Sequence, residues 1–377
     1  MTGELKKIMI VTGTRAEFGL LRPVMYAVHA QANCELRVVV AGSHLVQPAV
    51  TFREVKAEFG IADSIPMQTA GQVGRLADVE ALGKGIVRFG RSLEMNDPDC
   101  VVVLGDRIEA FAAASAASIG GYPLAHIHGG DRAEGVADEA MRHAITKLAH
   151  IHFPATQTSA ERIIKMGEDP KMVHVVGSPA IDGLDEIPPM GDGAFAEFGS
   201  PEVVILMHPI GREDEVERLA MGLVFETFAD KRVLVLHPNL DPGRRGIMEA
   251  IESAPIDVQV CPQLVRGQFV GLLKRVGASG GALVGNSSAG LIEAAAIGCP
   301  SVDIGDRQNG RERCDGWTAH ADEDMGSIRG AFDEITNPDH ERSAHPYGDG
   351  HTGDRIATVL ALLDLSDLGL IRKRCVY

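Results

Sequence analysis

The chain has 377 residues, 45% of them hydrophobic and 23% charged, the composition of a soluble globular protein with a real core and room for two domains of ordinary size. A formal net charge of −16 argues against a general binder of nucleic acid or of an anionic membrane, either of which needs a basic face, but a local cluster of cations can still hold a phosphorylated small molecule. Six cysteines are scattered with no C-x-x-C pair, so neither a zinc module nor a disulfide framework is expected.

In chain order, Lys6 and Lys7 precede a short apolar run at 8–11 that ends in Thr12-Gly13-Thr14. The run is too short for a signal-peptide core or a membrane span, and a cytoplasmic location is expected. Similar runs follow at 36–41, 100–104, 173–176, 203–207, 233–236 and 282–284. Continuous apolar runs of this kind suit strands covered on both faces, and the segments between them read as helices, the alanine-rich 107–119 above all. Alternating strand and helix signals predict parallel sheets with crossover helices, an α/β fold. Pro188, Pro189, Gly191, Gly193, Gly199 and Pro201 crowd one stretch, which predicts a linker between a domain at 1–184 and a second at 185–354.

Ligands in open parallel sheets bind beyond the carboxyl ends of the strands. The polar clusters fall there: Thr12-Gly13-Thr14-Arg15, Gly105-Asp106-Arg107, His208-Pro209, Asn239 and Asn286-Ser287-Ser288 each follow an apolar run. The expected site is therefore a cleft shared by the two halves. Arg15, Arg107, His208 and Arg307 are cationic or potentially cationic groups at such ends, and a diphosphate, with about two negative charges, calls for fixed donors of this type. Ser287 or Ser288 is placed to cap the helix that follows, whose free N–H groups can hold a phosphate. Glu293 lies further along that helix, on a face able to accept from ribose hydroxyls.

The segment 125–143 gathers titratable groups around Gly129-Gly130. His126 and His128 alternate and share a face in extended chain, and Asp138 and Arg142 stand at the i, i+4 spacing of a helical ion pair. The His-x-His pair has no third ligand at a recognisable spacing, so no metal is expected. The P-loop pattern is absent, and the G-x-S-x-G and G-x-G-x-x-G strings at 277–281 and 348–353 follow no predicted strand, which speaks against esterase, NTPase and dinucleotide readings, and no cofactor is expected.

Taken in order, Gly13-Thr14-Arg15-Ala16-Glu17-Phe18-Gly19, Gly42-Ser43-His44-Leu45, Gly105-Asp106-Arg107, His126-Ile127-His128-Gly129-Gly130-Asp131 and Arg142-His143-Ala144-Ile145-Thr146-Lys147 continue into His208-Pro209, Asn239-Leu240-Asp241-Pro242-Gly243, Gly285-Asn286-Ser287-Ser288, Gly305-Asp306-Arg307-Gln308 and Pro346-Tyr347-Gly348-Asp349-Gly350. This series resembles the hydrolysing UDP-N-acetylglucosamine 2-epimerases of sialic-acid and related nonulosonate biosynthesis. The resemblance implies two Rossmann-like domains in a GT-B arrangement with the active site in the interdomain cleft, the C-terminal helix at 355–377 packing back on the first domain. It implies that Arg15, Arg107, His208, Ser287, Ser288 and Arg307 hold the diphosphate of a UDP-sugar, that Glu293 takes the ribose, and that Asn239 lies near the nucleotide. His44, Asp106, His128, Asp131, Asp138 and Arg142 would surround the sugar as the catalytic set. The implied reaction eliminates UDP to a 2-acetamidoglucal and then adds water to give the free manno sugar, with Asp106 or Asp131 as base and His128 or Asp138 delivering water.

Three positions depart from the animal-type pattern: His128 stands where those enzymes carry Glu, Gly19 replaces a Ser, and Ile210-Gly211 follow His208-Pro209 where a Thr is expected. His128 is also what the bacterial sialic-type members carry. A homodimer or homotetramer is expected, with no nucleic-acid or membrane partner. Rival readings are the same chemistry on UDP-2,4-diacetamido-2,4,6-trideoxyglucose or its GDP counterpart, a non-hydrolysing 2-epimerase, a GT-B glycosyltransferase and a non-catalytic nucleotide-sugar sensor.

Overall fold

The computed structural model describes residues 5–47, 50–72, 74–132, 137–239, 241–262 and 264–376, with the side chains of Ala137 and Asp138 outside that description. Among these residues the strands form two parallel sheets of six. The first contains β1 (Lys6–Thr12), β2 (Cys34–Ala41), β3 (Ile61–Ile65), β4 (Cys100–Leu104), β5 (Leu124–Ile127) and β6 (Ile151–Phe153), in the order β3-β2-β1-β4-β5-β6. The second contains β7 (Val203–Leu206), β8 (Val233–Leu236), β9 (Val258–Cys261), β10 (Ala282–Gly285), β11 (Ser301–Ile304) and β12 (Thr318–Ala321), in the order β12-β11-β10-β7-β8-β9. Both follow the doubly wound order, in which the chain reverses direction across the sheet beside its first strand and leaves a crevice at the carboxyl ends.

The predicted strands at 8–11, 36–41, 100–104, 203–207, 233–236 and 282–284 correspond to β1, β2, β4, β7, β8 and β10. The segment 173–176 is not a strand. It makes an isolated bridge from Val173 to His152 and leaves Val175 45% exposed, so pairing is not sustained. The alternation of side chains explains why apolar runs mark the inner strands. Ile8, Ile10, Val38, Val40 and Val102 pack on one face with Phe18, Leu21 and Leu360, while Met9, Val11, Val39, Val101 and Val103 pack on the other with Phe89 and Ala113. Both faces are dry, so every residue in the run must be apolar. Strands β3, β6, β9 and β12 lie at the sheet edges.

Helix Ile108–Gly120 covers one face of the first sheet, its Ala112, Ala113, Ala114 and Ala117 fully buried, and ends at Gly121 with φ of 77°. Alanine lets the helix approach the sheet closely, and glycine takes the left-handed turn that stops it. The chain divides into two compact units, one of Met1–Asp131, Val136–Asp182 and Tyr347–Tyr377, the other of Gly183–Pro346 with Arg132. Within the first unit, helix Thr352–Leu362 lies on helix Arg15–Ala30, and a Cβ at Gly353 would stand 2.8 Å from the Pro23 carbonyl oxygen. The Asp182 carboxylate caps the start of that C-terminal helix, accepting from the N–H groups of Thr352 at 3.0 Å and Gly353 at 2.7 Å. No helix among the described residues is long and apolar enough to cross a membrane, and none of the six cysteines is in a disulfide.

Candidate active site

The turn after β1 is set by a reciprocal cap. Thr14 Oγ1 accepts from the Glu17 N–H at 3.2 Å, and Glu17 Oε2 accepts from the Gly13 N–H at 2.5 Å. Arg15 therefore opens the helix with its side chain half-exposed, its Nε 3.1 Å from Glu54. Beneath this turn lies Glu109, fully buried, accepting from Gln68 Nε2 at 2.9 Å and standing 3.7 Å from Arg107 Nε. A Cβ at Gly13 would come within 2.7 Å of the Glu109 side chain, and one at Gly42 would overlap its carboxylate. The two glycines of these motifs thus make room for a buried acid. Burial pushes the Glu17 carboxyl up to about 8, with the neighbouring Glu109 acting in the same direction.

Beyond β5 the chain turns through His128 and Gly130, with φ of 62° and 77°. A Cβ at Gly130 would overlap the Ser159 carbonyl, so this position tolerates only glycine. The turn presents Asp131, whose Oδ1 accepts from Ser159 Oγ at 2.7 Å and whose Oδ2 lies 3.6 Å from His128 Nδ1 and 3.8 Å from Arg142 Nη1. Arg142 Nη2 also donates to Asp106 at the end of β4, so one buried guanidinium bridges the carboxylates that follow two adjacent strands. Asp138, expected to pair with Arg142, has its side chain outside the described residues. His126 Nε2 donates to the Gly105 carbonyl at 2.8 Å, and its Nδ1 stands 3.2 Å from Thr146 Oγ1. Burial pushes His126 down to about 3.

His44 is not presented to this cluster. It is fully buried, with Nε2 3.0 Å from Thr12 Oγ1, Nδ1 2.6 Å from Thr51 Oγ1 and Phe18 edge-on to its ring. Burial pushes it down to about 4. With both nitrogens occupied from inside the protein, it packs the core rather than facing a ligand.

In the second unit Asn286 organises the strand ends. Its Oδ1 accepts from the His208 N–H at 2.7 Å, its Nδ2 donates to the His208 carbonyl at 2.8 Å, and its own carbonyl accepts from Arg307 Nη1 at 3.0 Å and Gln308 Nε2 at 2.8 Å. His208 Nδ1 accepts from the Asn239 N–H at 3.1 Å, which leaves the ring proton on Nε2. Burial, with Arg307 nearby, pushes His208 down to about 4, so of the cationic or potentially cationic groups it is a neutral donor at pH 7. Asn239 also donates from Nδ2 to Asp241. Ser287 Oγ accepts from the Ala289 N–H at 3.3 Å and caps the helix that Ser288 begins. Glu293 falls in a π turn, Gly290–Ala294, 3.8 Å from Arg266; burial pushes its carboxyl up while Arg266 pulls it down. Among the described residues no three His, Cys, Asp or Glu side chains group to hold a metal ion.

The model of the UDP-N-acetylglucosamine 2-epimerase family matches residues 26–361. The chain belongs to that family of enzymes. It is 34% identical to the UDP-N,N'-diacetylbacillosamine 2-epimerase (hydrolyzing) of Legionella pneumophila, over 96% of this chain and 97% of that one. It is 30% identical to the UDP-N-acetylglucosamine 2-epimerase of Neisseria meningitidis serogroup B, over 81% of each. A crystal structure of UDP-GlcNAc 2-epimerase from Neisseria meningitidis bound to UDP-GlcNAc matches with a TM-score of 0.78 at 20% identity, covering 94% of this chain and 99% of that one. The epimerase fold is thus α/β of the GT-B class.

Sequence reasoning did not single out Ser159, Asn286 or Gln308 as site residues of this epimerase. Asn286 and Gln308 lie inside strand-end motifs, and what distinguishes them, full burial of a polar side chain, has no mark in the sequence. Ser159 follows the Thr156 cap of a helix and carries no local mark of its tie to Asp131.

Proposed function

We propose that the chain is a hydrolysing 2-epimerase acting on a UDP-2-acetamido sugar, releasing UDP and a free 2-acetamido manno sugar. The observation that carries this reading is the Asp106–Arg142–Asp131 bridge, acid–base groups fixed at the ends of β4 and β5 beside His128. The proton on carbon 2 is weakly acidic, so its removal needs a placed base as the C1–O bond to UDP breaks. Asp131 suits that role, because Ser159 and the Gly130 turn fix its direction while Arg142 makes its direct hydrogen bond to Asp106. The electron pair from the C–H bond forms the C1–C2 double bond of the glycal and the diphosphate leaves with the C1–O pair. Water then adds hydroxyl at carbon 1 and a proton to the opposite face of carbon 2, His128 or Asp138 assisting.

On this reading Arg15, Arg107, Arg307, Ser287, Ser288 and neutral His208 donate to the diphosphate, Glu293 accepts from the ribose, and Asn239 holds His208 Nδ1. His44 supports the turn from within the core. The near full-length similarity to the Legionella enzyme favours the 2,4-diacetamido-2,4,6-trideoxy sugar over N-acetylglucosamine, which the sequence put first. The test is proton NMR in deuterium oxide with both UDP-sugars in parallel. Deuterium at carbon 2 of a free manno sugar is expected, faster from the diacetamido substrate. A product still joined to UDP would make the enzyme non-hydrolysing; sugar transfer to an acceptor, or tight binding without turnover, would replace the reading by a transferase or a sensor.

A further inference from the structure

Helix Ala137–Leu148 carries Arg142 at its middle, and its carboxyl end is held from a distant part of the chain. Lys373, in the C-terminal segment of the first unit, donates from Nζ to the carbonyls of Lys147 at 2.6 Å, Ala149 at 2.6 Å and Thr146 at 3.3 Å. These are carbonyls that a helix end leaves without internal partners, where the helix dipole is negative and a cation is most welcome. The same ammonium lies 2.6 Å from Glu168 Oε2. Glu168, almost fully buried, accepts as well from Lys147 Nζ at 2.5 Å, on the same helix, and from His152 Nε2 at 3.1 Å, on β6. Burial alone would raise the Glu168 carboxyl, but these three donors outweigh it and hold it at about 2. Beside Lys373 the chain alternates, with Arg372 and Arg374 exposed, and the Val376 N–H donates to the Gly167 carbonyl at 2.9 Å. One lysine side chain thus points inward from an otherwise exposed strap.

Order is passed along the helix by Thr146, whose Oγ1 donates to the Arg142 carbonyl at 3.0 Å and lies 3.2 Å from His126, the ring that holds Gly105 next to Asp106. We infer that Lys373 is a positioning residue: by clamping the end of helix Ala137–Leu148 it fixes the Arg142 guanidinium between Asp106 and Asp131. The inference rests on the epimerase reading only for its effect on turnover. A misplacement of about 1 Å at a reacting centre costs on the order of a hundredfold in rate, so a loosened clamp shows in kcat. The groups proposed to bind the diphosphate in the second unit belong to the other compact unit, so UDP affinity is the internal control.

The experiment compares Lys373→Met, Lys373→Arg and the exposed control Arg374→Met in two readouts. In turnover of the UDP-sugar, Lys373→Met is expected to lose tenfold or more in kcat with KM and the Kd of UDP within twofold of wild type, Lys373→Arg to recover most of it, and Arg374→Met to match wild type. In amide hydrogen exchange, the last turn of the helix, 145–149, is expected to exchange at least tenfold faster in Lys373→Met. A kcat within twofold of wild type, or a loss that Lys373→Arg does not repair, overturns the positioning role. If wild type turns over neither UDP-sugar, the epimerase reading fails by itself, and exchange still decides the clamp: unchanged protection at 145–149 in Lys373→Met refutes it.

Discussion

His208 is the sharpest place to test the proposal that the second unit holds a diphosphate. Its ring is neutral until about pH 4, and the Asn239 N–H at 3.1 Å occupies Nδ1, so the N–H offered to a ligand is on Nε2. Protonation would place a second ring N–H against the Asn239 N–H, which penalises the cation further. A hydrogen bond to a charged group is worth about 1.5–3 kcal/mol, and about 1.4 kcal/mol is a factor of ten in Kd. His208→Ala is therefore expected to weaken binding roughly ten- to a hundredfold, while His208→Gln, whose side-chain amide can reach the Nε2 position, recovers part of the loss. The assay is calorimetry between pH 5.5 and 8 with a UDP-hexose lacking the 2-acetamido group, whose diphosphate keeps its two charges throughout. Wild-type affinity should show no inflection near pH 6.5. Affinity that climbs several-fold from pH 7 to 5.5 in wild type but stays flat in His208→Ala would refute the neutral-donor argument.

Three further outcomes follow from the first unit. Asp131→Asn should lower kcat by a hundredfold or more while the Kd of UDP, measured by calorimetry, stays within twofold; a matching loss of UDP affinity would contradict a role at the sugar. Gly13→Ala drives a Cβ to 2.7 Å from the Glu109 side chain, and overpacking of this kind costs about 1–3 kcal/mol; the melting temperature should fall by several degrees, and an unchanged one would mean that Glu109 can move aside. Acid should destabilise this unit: His44, His126 and His150 sit at about 4, 3 and 4 when folded, against 6.5 unfolded, so the unfolded chain takes up protons first and stability drains away from pH 6.5 down to about 4. Each contributes about 1.4 kcal/mol per pH unit, and Glu17, at about 8 folded against 4.5 unfolded, gains stability as pH falls from 8 to 4.5, which leaves a net loss of roughly 3 kcal/mol per unit near pH 5.5. A thermal transition that does not move between pH 7 and 5 would show the three rings to be accessible to protons in the folded state.

The central strands were legible because both of their faces are buried, which forces a continuous apolar run: Ile8 and Ile10 meet one core, Met9 and Val11 the other. The same rule hid the edge strands. β3 (Ile-Ala-Asp-Ser-Ile) and β9 (Val-Gln-Val-Cys) each have residues facing solvent and so carry polar residues inside the strand. In the candidate site, the motifs drew attention to Asp106, Asp131, His128 and Arg142, and these lie together in the first unit. What the sequence could not carry is partnership across the chain. The i, i+4 rule pairs Arg142 with Asp138, whose side chain lies outside the described residues, but no spacing in the sequence announces the carboxylates that reach the same guanidinium from the ends of β4 and β5. Likewise His44 sits in a motif beside polar residues, yet Thr12 and Thr51, the one preceding it by 32 positions and the other following by 7, enclose its ring.

The contacts of the acidic cluster bear on how its base is tested. Asp106, Asp131 and Arg142 are each mostly or fully buried, and Arg142 lies within 4 Å of both carboxylates. On the proposed reaction Asp131 takes up the carbon-2 proton, while Asp106 keeps its hydrogen bond to Arg142. Asp131→Asn is therefore the informative variant. The amide has the shape and the charge of the protonated acid, so the Asp106–Arg142 pair keeps its balance and the fold keeps its packing. What is lost is the capacity to accept a proton, and a fall in kcat then reports the base itself.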